Sequence, residues 1–337
     1  MKKSLLFASI LLIITIMVCA CTPSTPPAPP PNQSGDQPTP PATPTQIRLT
    51  MATGGTSGTY YPYGGALALA IDAATGYIKI NVNSTGASAE NVQQIGGGLA
   101  HLAIVQNDVM DYAYNGSNTW TADPVKGMAT LMSLYPEVCQ LIVSADSGIE
   151  TVTDLAGKRI STGDIGSGVE ANAIQILEAY GLTVDDLRAE HLGFGPSADA
   201  MKDKSIDGFF ATSGVPNTAV LELSTSRDIR VITLTDDKID ALIAKYPFYA
   251  KVTITEQDYS FLPSSVNTVA VQATLIASPD MDDQVAYDIV KAIIESKESI
   301  MVAHQKGAFI DPEYAVQGVS VDFHPGAKKY FQEIGVL

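Results

Sequence analysis

The sequence predicts an α/β protein with mostly parallel strands, folded as two lobes. Three observations lead there. Apolar runs of strand length alternate with segments of helical pattern. Polar, glycine-bearing loops follow several of those runs, where a strand hands over to a helix. The chain has 337 residues, 45% of them hydrophobic, which is more than one core comfortably holds; single cores stop growing near about 250–300 residues.

Composition excludes several classes. Lys and Arg number 20 against 36 Asp and Glu, a net charge of −16. Such a chain repels phosphate backbones, so nucleic-acid binding is excluded. The apolar content excludes wholesale disorder. Three cysteines are too few for a disulfide scaffold or a thiolate zinc site.

The N-terminus reads as a targeting segment. Lys2 and Lys3 precede an apolar run over 4–18 that falls short of the ~20 residues of a membrane-spanning helix. The Ala20-Cys21 step resembles a bacterial lipobox, which makes 1–20 a lipoprotein signal peptide and Cys21 the lipidated residue; an ordinary signal peptide or uncleaved anchor is the other reading. Loss of Cys19 and acylation of Cys21 would leave Cys139 without a disulfide partner. Residues 22–46 hold ten of the chain's 20 prolines and no aliphatic side chain larger than Ala, so they read as an extended tether.

The folded part begins near 47. The order read from the sequence is a strand over 47–52, a turn over 54–58, and a helix running to 74 with Pro62 in its first turn. There follow an alternating strand over 78–83, a helix over 89–96 and a strand over 102–105. A strand over 138–143 starts after Pro136, and a strand over 158–161 opens the second lobe. A helix over 171–180 ends at Gly181, a suitable residue for a left-handed cap. Strands over 208–211, 230–234 and 269–277 and a long helix over 283–303 complete the pattern.

Four polar segments carry the functional reading. Thr53 to Pro62 sits between a strand and a helix, where free backbone N–H groups favour a carboxylate or phosphate. It lacks the Gly-Lys-Ser/Thr of a P-loop, and a tight turn with a cap explains it equally well. Ser84 to Asn91 has the same setting, with Ser88 placed to cap the helix. Gln106-Asn107-Asp108 follows a strand directly, as an amide that reads a ligand edge or ties off the strand. In the second lobe Gly163 to Glu170 and Thr212 to Asn217 follow strands; Ser167 and Glu170 have capping-box spacing. All lie at the carboxyl ends of strands, where open α/β sheets bind ligands, and two lobes offering such loops suggest a cleft.

MATGGTSGTYYPYGGALA, STGASAENVQQI, LAIVQNDV, DLAGKRISTGDIGSGVEANAIQILEAYG, FFATSGVPNTAV and HPGAKKYFQEIGV together resemble the TAXI family, the solute receptors of tripartite ATP-independent periplasmic (TRAP) transporters. The resemblance implies a periplasmic-binding-protein-like, type II two-lobe α/β fold with a hinged cleft. It implies capture of a small organic acid or amino acid of the glutamate or 2-oxoglutarate kind, and delivery to a TRAP permease. It implies ligand contacts from Gly55, Thr56, Tyr60, Ser88, Gln106, Ser167, Gly168, Thr212 and Ser213, with Tyr61 as the alternative to Tyr60. No Arg or Lys lies in these segments except Lys158 and Arg159, read as strand and surface, so the expected site holds a carboxylate with hydroxyls and N–H dipoles.

The expected lobes are 47–137 with 265–337, and 138–264, with two crossings as the hinge. A ligand-presenting receptor for a sensor kinase is the alternative function. Enzymatic activity and cofactors are not expected. The four histidines have no metal spacing, no Gly-x-Ser-x-Gly elbow is present, and Cys139 reads as a buried inert thiol. Tyr112, Tyr114 and Trp120 read as filling of the first lobe. The expected location is extracytoplasmic, with membrane contact through the lipid alone.

Overall fold

The computed structural model describes residues 45–337. The signal peptide, Cys21 and nearly all of the tether lie outside the described residues. The strands are β1 Ile47–Ala52, β2 Ile78–Asn83, β3 Leu102–Gln106, β4 Ala129–Ser144, β5 Arg159–Ser161, β6 Arg188–Glu190, β7 Gly208–Ser213, β8 Ile229–Val231, β9 Ala250–Ile254 and β10 Val266–Ala277. The helices are α1 Tyr60–Thr75, α2 Ser88–Gly96, α3 Asn107–Asn115, α4 Gly168–Ala179, α5 Phe194–Lys202, α6 Thr218–Ser224, α7 Asp236–Lys245, α8 Asp283–Glu295, α9 Lys297–Ala303, α10 Pro312–Ala315 and α11 Pro325–Glu333.

All ten strands join one sheet in the order β2-β1-β3-β10-β4-β7-β5-β6, with β8 on β4 and β9 on β10. The sheet is mixed, which corrects the expectation of mostly parallel strands. β1 pairs in parallel with β2 and β3, and β5 with β6 and β7. The two long strands β4 and β10 run antiparallel to each other and to their other neighbours. Each parallel group is a set of βαβ crossovers; β4 and β10 enter the sheet without such a crossover between them and the strands they pair with.

Buried apolar residues fall into two sets. One draws on Leu49–Tyr135 and Ala273–Phe331. The other draws on Val138–Val271. The chain passes between the sets inside β4, between Tyr135 and Val138, and inside β10, between Val271 and Ala273. These points are neighbours, because Tyr135 pairs with Ala273 and Val138 with Ala270.

Two other expectations change. β4 does not begin after Pro136 but runs through it. Pro136 lies opposite Gln272 of β10, while β7 pairs only from Val138 onward, so the missing N–H interrupts no ladder on the β7 side. The helix expected over 283–303 is two helices broken at Ser296. Ser296 (φ −99°, ψ 16°) closes α8 by donating its N–H to Ala292 O and serves as the residue before α9.

Candidate functional site

Three helix N-termini converge on one cavity. α1 starts from the Thr53–Thr59 loop with no side-chain cap on its first N–H groups. α2 starts after Ala87, also without a side-chain cap. α4 starts at Gly168, capped by Ser167 Oγ, which accepts from Glu170 N at 3.1 Å. Uncapped N-termini present unsatisfied N–H donors and a partial positive charge. The inner cavity, about 360 Å³ including the part open to solvent, is lined by Gly54, Gly58, Thr59, Tyr60, Ser88 and Gln106 on one side and Gly168, Val169, Phe194, Thr212 and Ser213 on the other, with Glu137. A second, outer cavity of about 760 Å³ shares Gly55, Gly58, Ala87, Val169 and Phe194 with it and adds Thr56, Asp164 and Ser167.

All nine residues expected at the site therefore line one of two adjoining cavities. Gly55, Tyr60, Ser88, Gln106, Gly168, Thr212 and Ser213 line the inner one, and Thr56 and Ser167 the outer. Tyr60 is buried, whereas Tyr61 is exposed and lines neither. Two local readings change. Gln106-Asn107-Asp108 is not a loop, because Gln106 ends β3 and Asn107 opens α3 directly. Ser88 does not cap α2: it is the first helical residue, and its Oγ accepts from Gln106 N at 3.1 Å and lies 3.5 Å from Tyr60 Oη.

A lattice of side chains holds the first two loops together. Asn91 Nδ2 donates to Thr53 O and Ile104 O, at 2.5 and 2.8 Å, tying β1 to β3 through α2. Thr85 Oγ1 contacts Thr53 O (3.0 Å) and Asn91 Oδ1 (2.7 Å), and Ser84 Oγ donates to Gly54 O (3.0 Å). On the opposite wall Ser213 Oγ accepts from Gln140 Nε2 and Asn217 Nδ2, at 3.3 and 3.1 Å. Thr212 Oγ1 donates to Cys139 Sγ at 3.5 Å, and burial pushes that thiol up. Cys139 is thus buried and held protonated.

The walls also touch each other. Asn172 Nδ2 of α4 donates to Asp108 Oδ2 of α3 at 2.9 Å. With the Gln106 amide turned so that its nitrogen donates, it reaches Gly168 O and Asp108 Oδ1, each at 3.3 Å. Gln175 Nε2 donates to Tyr112 Oη at 3.2 Å, and Tyr112 packs edge-on to Phe248 with 5.8 Å between ring centroids. Tyr112 therefore links the two core sets rather than filling one. Lys306 Nζ donates to Val215 O at 2.7 Å. A Cβ on Gly168 would overlap the Gln106 amide, and one on Gly195 would approach Ser57 Oγ to 2.7 Å, so these contacts depend on glycine.

Sequence reasoning missed Glu137 and Lys306, and it placed Asp108 in a candidate segment without giving it a role. Glu137, inside β4, is 2% exposed, and its Oε2 accepts from Tyr60 Oη at 2.7 Å. Burial, with Asp108 nearby, pushes its carboxyl up to about 8. Asp108 is 1% exposed and raised by burial to about 6, against the hydrogen bonds it accepts from Val109 N and Asn172 Nδ2. Burial lowers Lys306 to about 8, with Asp258 and Glu137 opposing. The signal for Glu137 was available: a lone acid in an otherwise uncharged strand whose other side chains are nearly all buried.

The model of the NMT1-like family matches residues 51–335. Among solved structures, the periplasmic binding protein BugD aligns with a TM-score of 0.56 at 12% identity, over 86% of this chain and 94% of its own. A putative L-cystine ABC transporter protein from Listeria monocytogenes aligns at 0.49 and 16%, over 79% and 98%. DctP7, a Bordetella pertussis extracytoplasmic solute receptor binding pyroglutamic acid, aligns at 0.44 and 14%, over 86% and 93%. At such identities the likeness to BugD speaks for the fold, which is that of type II periplasmic binding proteins.

Proposed function

The chain belongs to the NMT1-like family, and from that premise we propose that it is an extracytoplasmic receptor that captures a small organic acid or amino acid between two lobes. Residues 47–137 with 265–337 form one lobe in this reading, and 138–264 the other. The separation of the buried apolar residues into two sets, exchanged inside β4 and β10, supports that division. The observation that carries the function is the meeting of all nine expected residues, from both sides, around adjoining cavities at three helix N-termini. Those N–H groups suit a ligand carboxylate.

The finer assignment rests on the sequence resemblance: a TAXI-type receptor that hands its ligand to a TRAP permease, lipid-anchored through Cys21. Among the described residues no helix is long and apolar enough to cross a membrane. Replacement Cys21→Ala is expected to move the protein from the membrane fraction to the soluble fraction, and unchanged fractionation would remove the anchor from the proposal.

The test of binding is a thermal-shift panel of dicarboxylates, other small acids and amino acids. A true ligand at 100 times its Kd stabilises by about 2.7 kcal/mol. Native mass spectrometry of freshly purified protein should show a small acid retained. Unchanged melting across the panel, with no retained small molecule, would sink the reading.

A further inference from the structure

The cavity offers two kinds of recognition within one small volume. Its mouth is formed by uncapped N–H groups at α1 and α2, which suit a carboxylate. Its floor carries Glu137, which accepts a hydrogen bond from Tyr60 Oη on Oε2, has the Gln106 amide and the Tyr135 hydroxyl nearby, and lines the empty space. The surroundings hold too little positive charge for this acid. Among the described residues the buried Asp, Glu, Lys, Arg and His side chains are Asp108, Glu137, Lys306 and His324. His324 is remote, bound to Met281 O and Gly326 N at the start of α11. Asp108 is already served by Val109 N and Asn172 Nδ2. Lys306 donates to Val215 O and acts on Glu137 through space rather than by direct contact. Glu137 is the acid that lines the cavity, and burial without an ion-pair partner favours its protonated form in the ligand-free site. A ligand ammonium group placed against Glu137 would supply the cationic partner the buried carboxyl lacks and let it ionise.

We propose that Glu137 is the acceptor for a ligand ammonium group, so that the cavity selects α-amino acids over the corresponding 2-oxo and 2-hydroxy acids. The proposal rests on the receptor reading above and narrows its substrate class. The carboxylate of the ligand lies toward the α1 and α2 N-termini, and its protonated amine lies against Glu137. Tyr60 then serves as a positioning residue, holding Oε2 so that the carboxylate presents its free side. Binding is non-covalent, and no bond is made or broken.

The experiment uses isothermal titration calorimetry on the wild-type protein with matched pairs: L-glutamate with 2-oxoglutarate, L-alanine with pyruvate, and L-leucine with 4-methyl-2-oxopentanoate. For the pair whose side chain fits, the amino acid is expected to bind roughly 10–100-fold more tightly, the worth of one charge-assisted contact. The variant Glu137→Gln is expected to lose most of that advantage, read as the ratio of amino-acid to oxo-acid affinity in the same variant. Equal or tighter binding of the oxo acid overturns the role of Glu137 and leaves the receptor reading standing. Failure of every member of both series to bind overturns both. If Glu137→Gln does not fold, Glu137→Asp takes its place: the shortened carboxyl is expected to lose most of the amino-acid advantage, and an unchanged advantage overturns the role of Glu137.

Discussion

Glu137 shows how one side chain sets the behaviour of the ligand-free site. Its carboxyl titrates near 8 in the fold and near 4.5 when exposed, so between those values the folded chain binds the extra proton. Stability therefore falls as pH rises across that window. Asp108, raised from 3.8 to about 6, acts in the same direction over its own lower window. Lys306, lowered from 10.5 to about 8, acts the other way, adding stability as pH rises from 8 to 10.5. The melting temperature of ligand-free protein should thus decline from about pH 5 to pH 8, and Glu137→Gln should flatten that decline; an unchanged slope in the variant would refute the assignment. Tyr63 offers a separate test. Its hydroxyl is buried without a partner while its ring packs edge-on to Tyr135 at 5.3 Å between centroids. Tyr63→Phe should keep the packing, remove the orphan hydroxyl, and stabilise the protein by up to about 1 kcal/mol in denaturant titration; clear destabilisation would show that the hydroxyl has a partner. The hydroxyl and glycine loops were legible in the sequence because they stand at strand ends. Glu137 was legible only as a lone acid in an apolar run, with nothing to place it beside the loops, and Lys306 was not legible, since its place beside Val215 depends on a contact 91 residues away.

At the scale of elements, the N-terminus of α4 meets the end of β3 at Gly168. The hydrogen of Gly168 is all that fits beside the Gln106 amide. Gly168→Ala should therefore leave α4 intact, since Ala is the better helix former, and still hold α4 away from β3. The expected result is a melting temperature close to wild type with ligand affinity reduced about tenfold or more, the loss of one or more buried contacts; wild-type affinity would show that the contact is not needed for binding. Local elements were readable where they repeat a simple pattern. β1 and β2 have the expected bounds, and the helix after the first loop was found within two residues. The strand direction was not readable, because antiparallel pairing of β4 and β10 is set by partners more than a hundred residues apart. Nor was the break at Ser296, because the apolar pattern continues across it into Ile300.

At the scale of the whole molecule, the two sets of buried apolar residues meet along β4 and β10, and Glu137 stands at that junction, opposite Val271. A ligand contacting both walls favours the closed arrangement by its differential affinity alone. Small-angle scattering should show a smaller radius of gyration with bound ligand than without it, and a larger one for Gly168→Ala; identical curves would argue against closure. The two-lobe expectation rested on chain length and on the segments returning near 266–277; the continuity of one sheet through both sets of buried residues was not legible. That continuity bears on how the protein can be taken apart. β9 finds its edge partner in β10, and β7 finds one of its own in β4, so a piece cut at 138 and 264 leaves without the strand on which β9 is laid. A split reporter or a swapped half built on those boundaries would expose a raw sheet margin open to aggregation, and a chimera that exchanges specificity has to carry both long strands along with the loops.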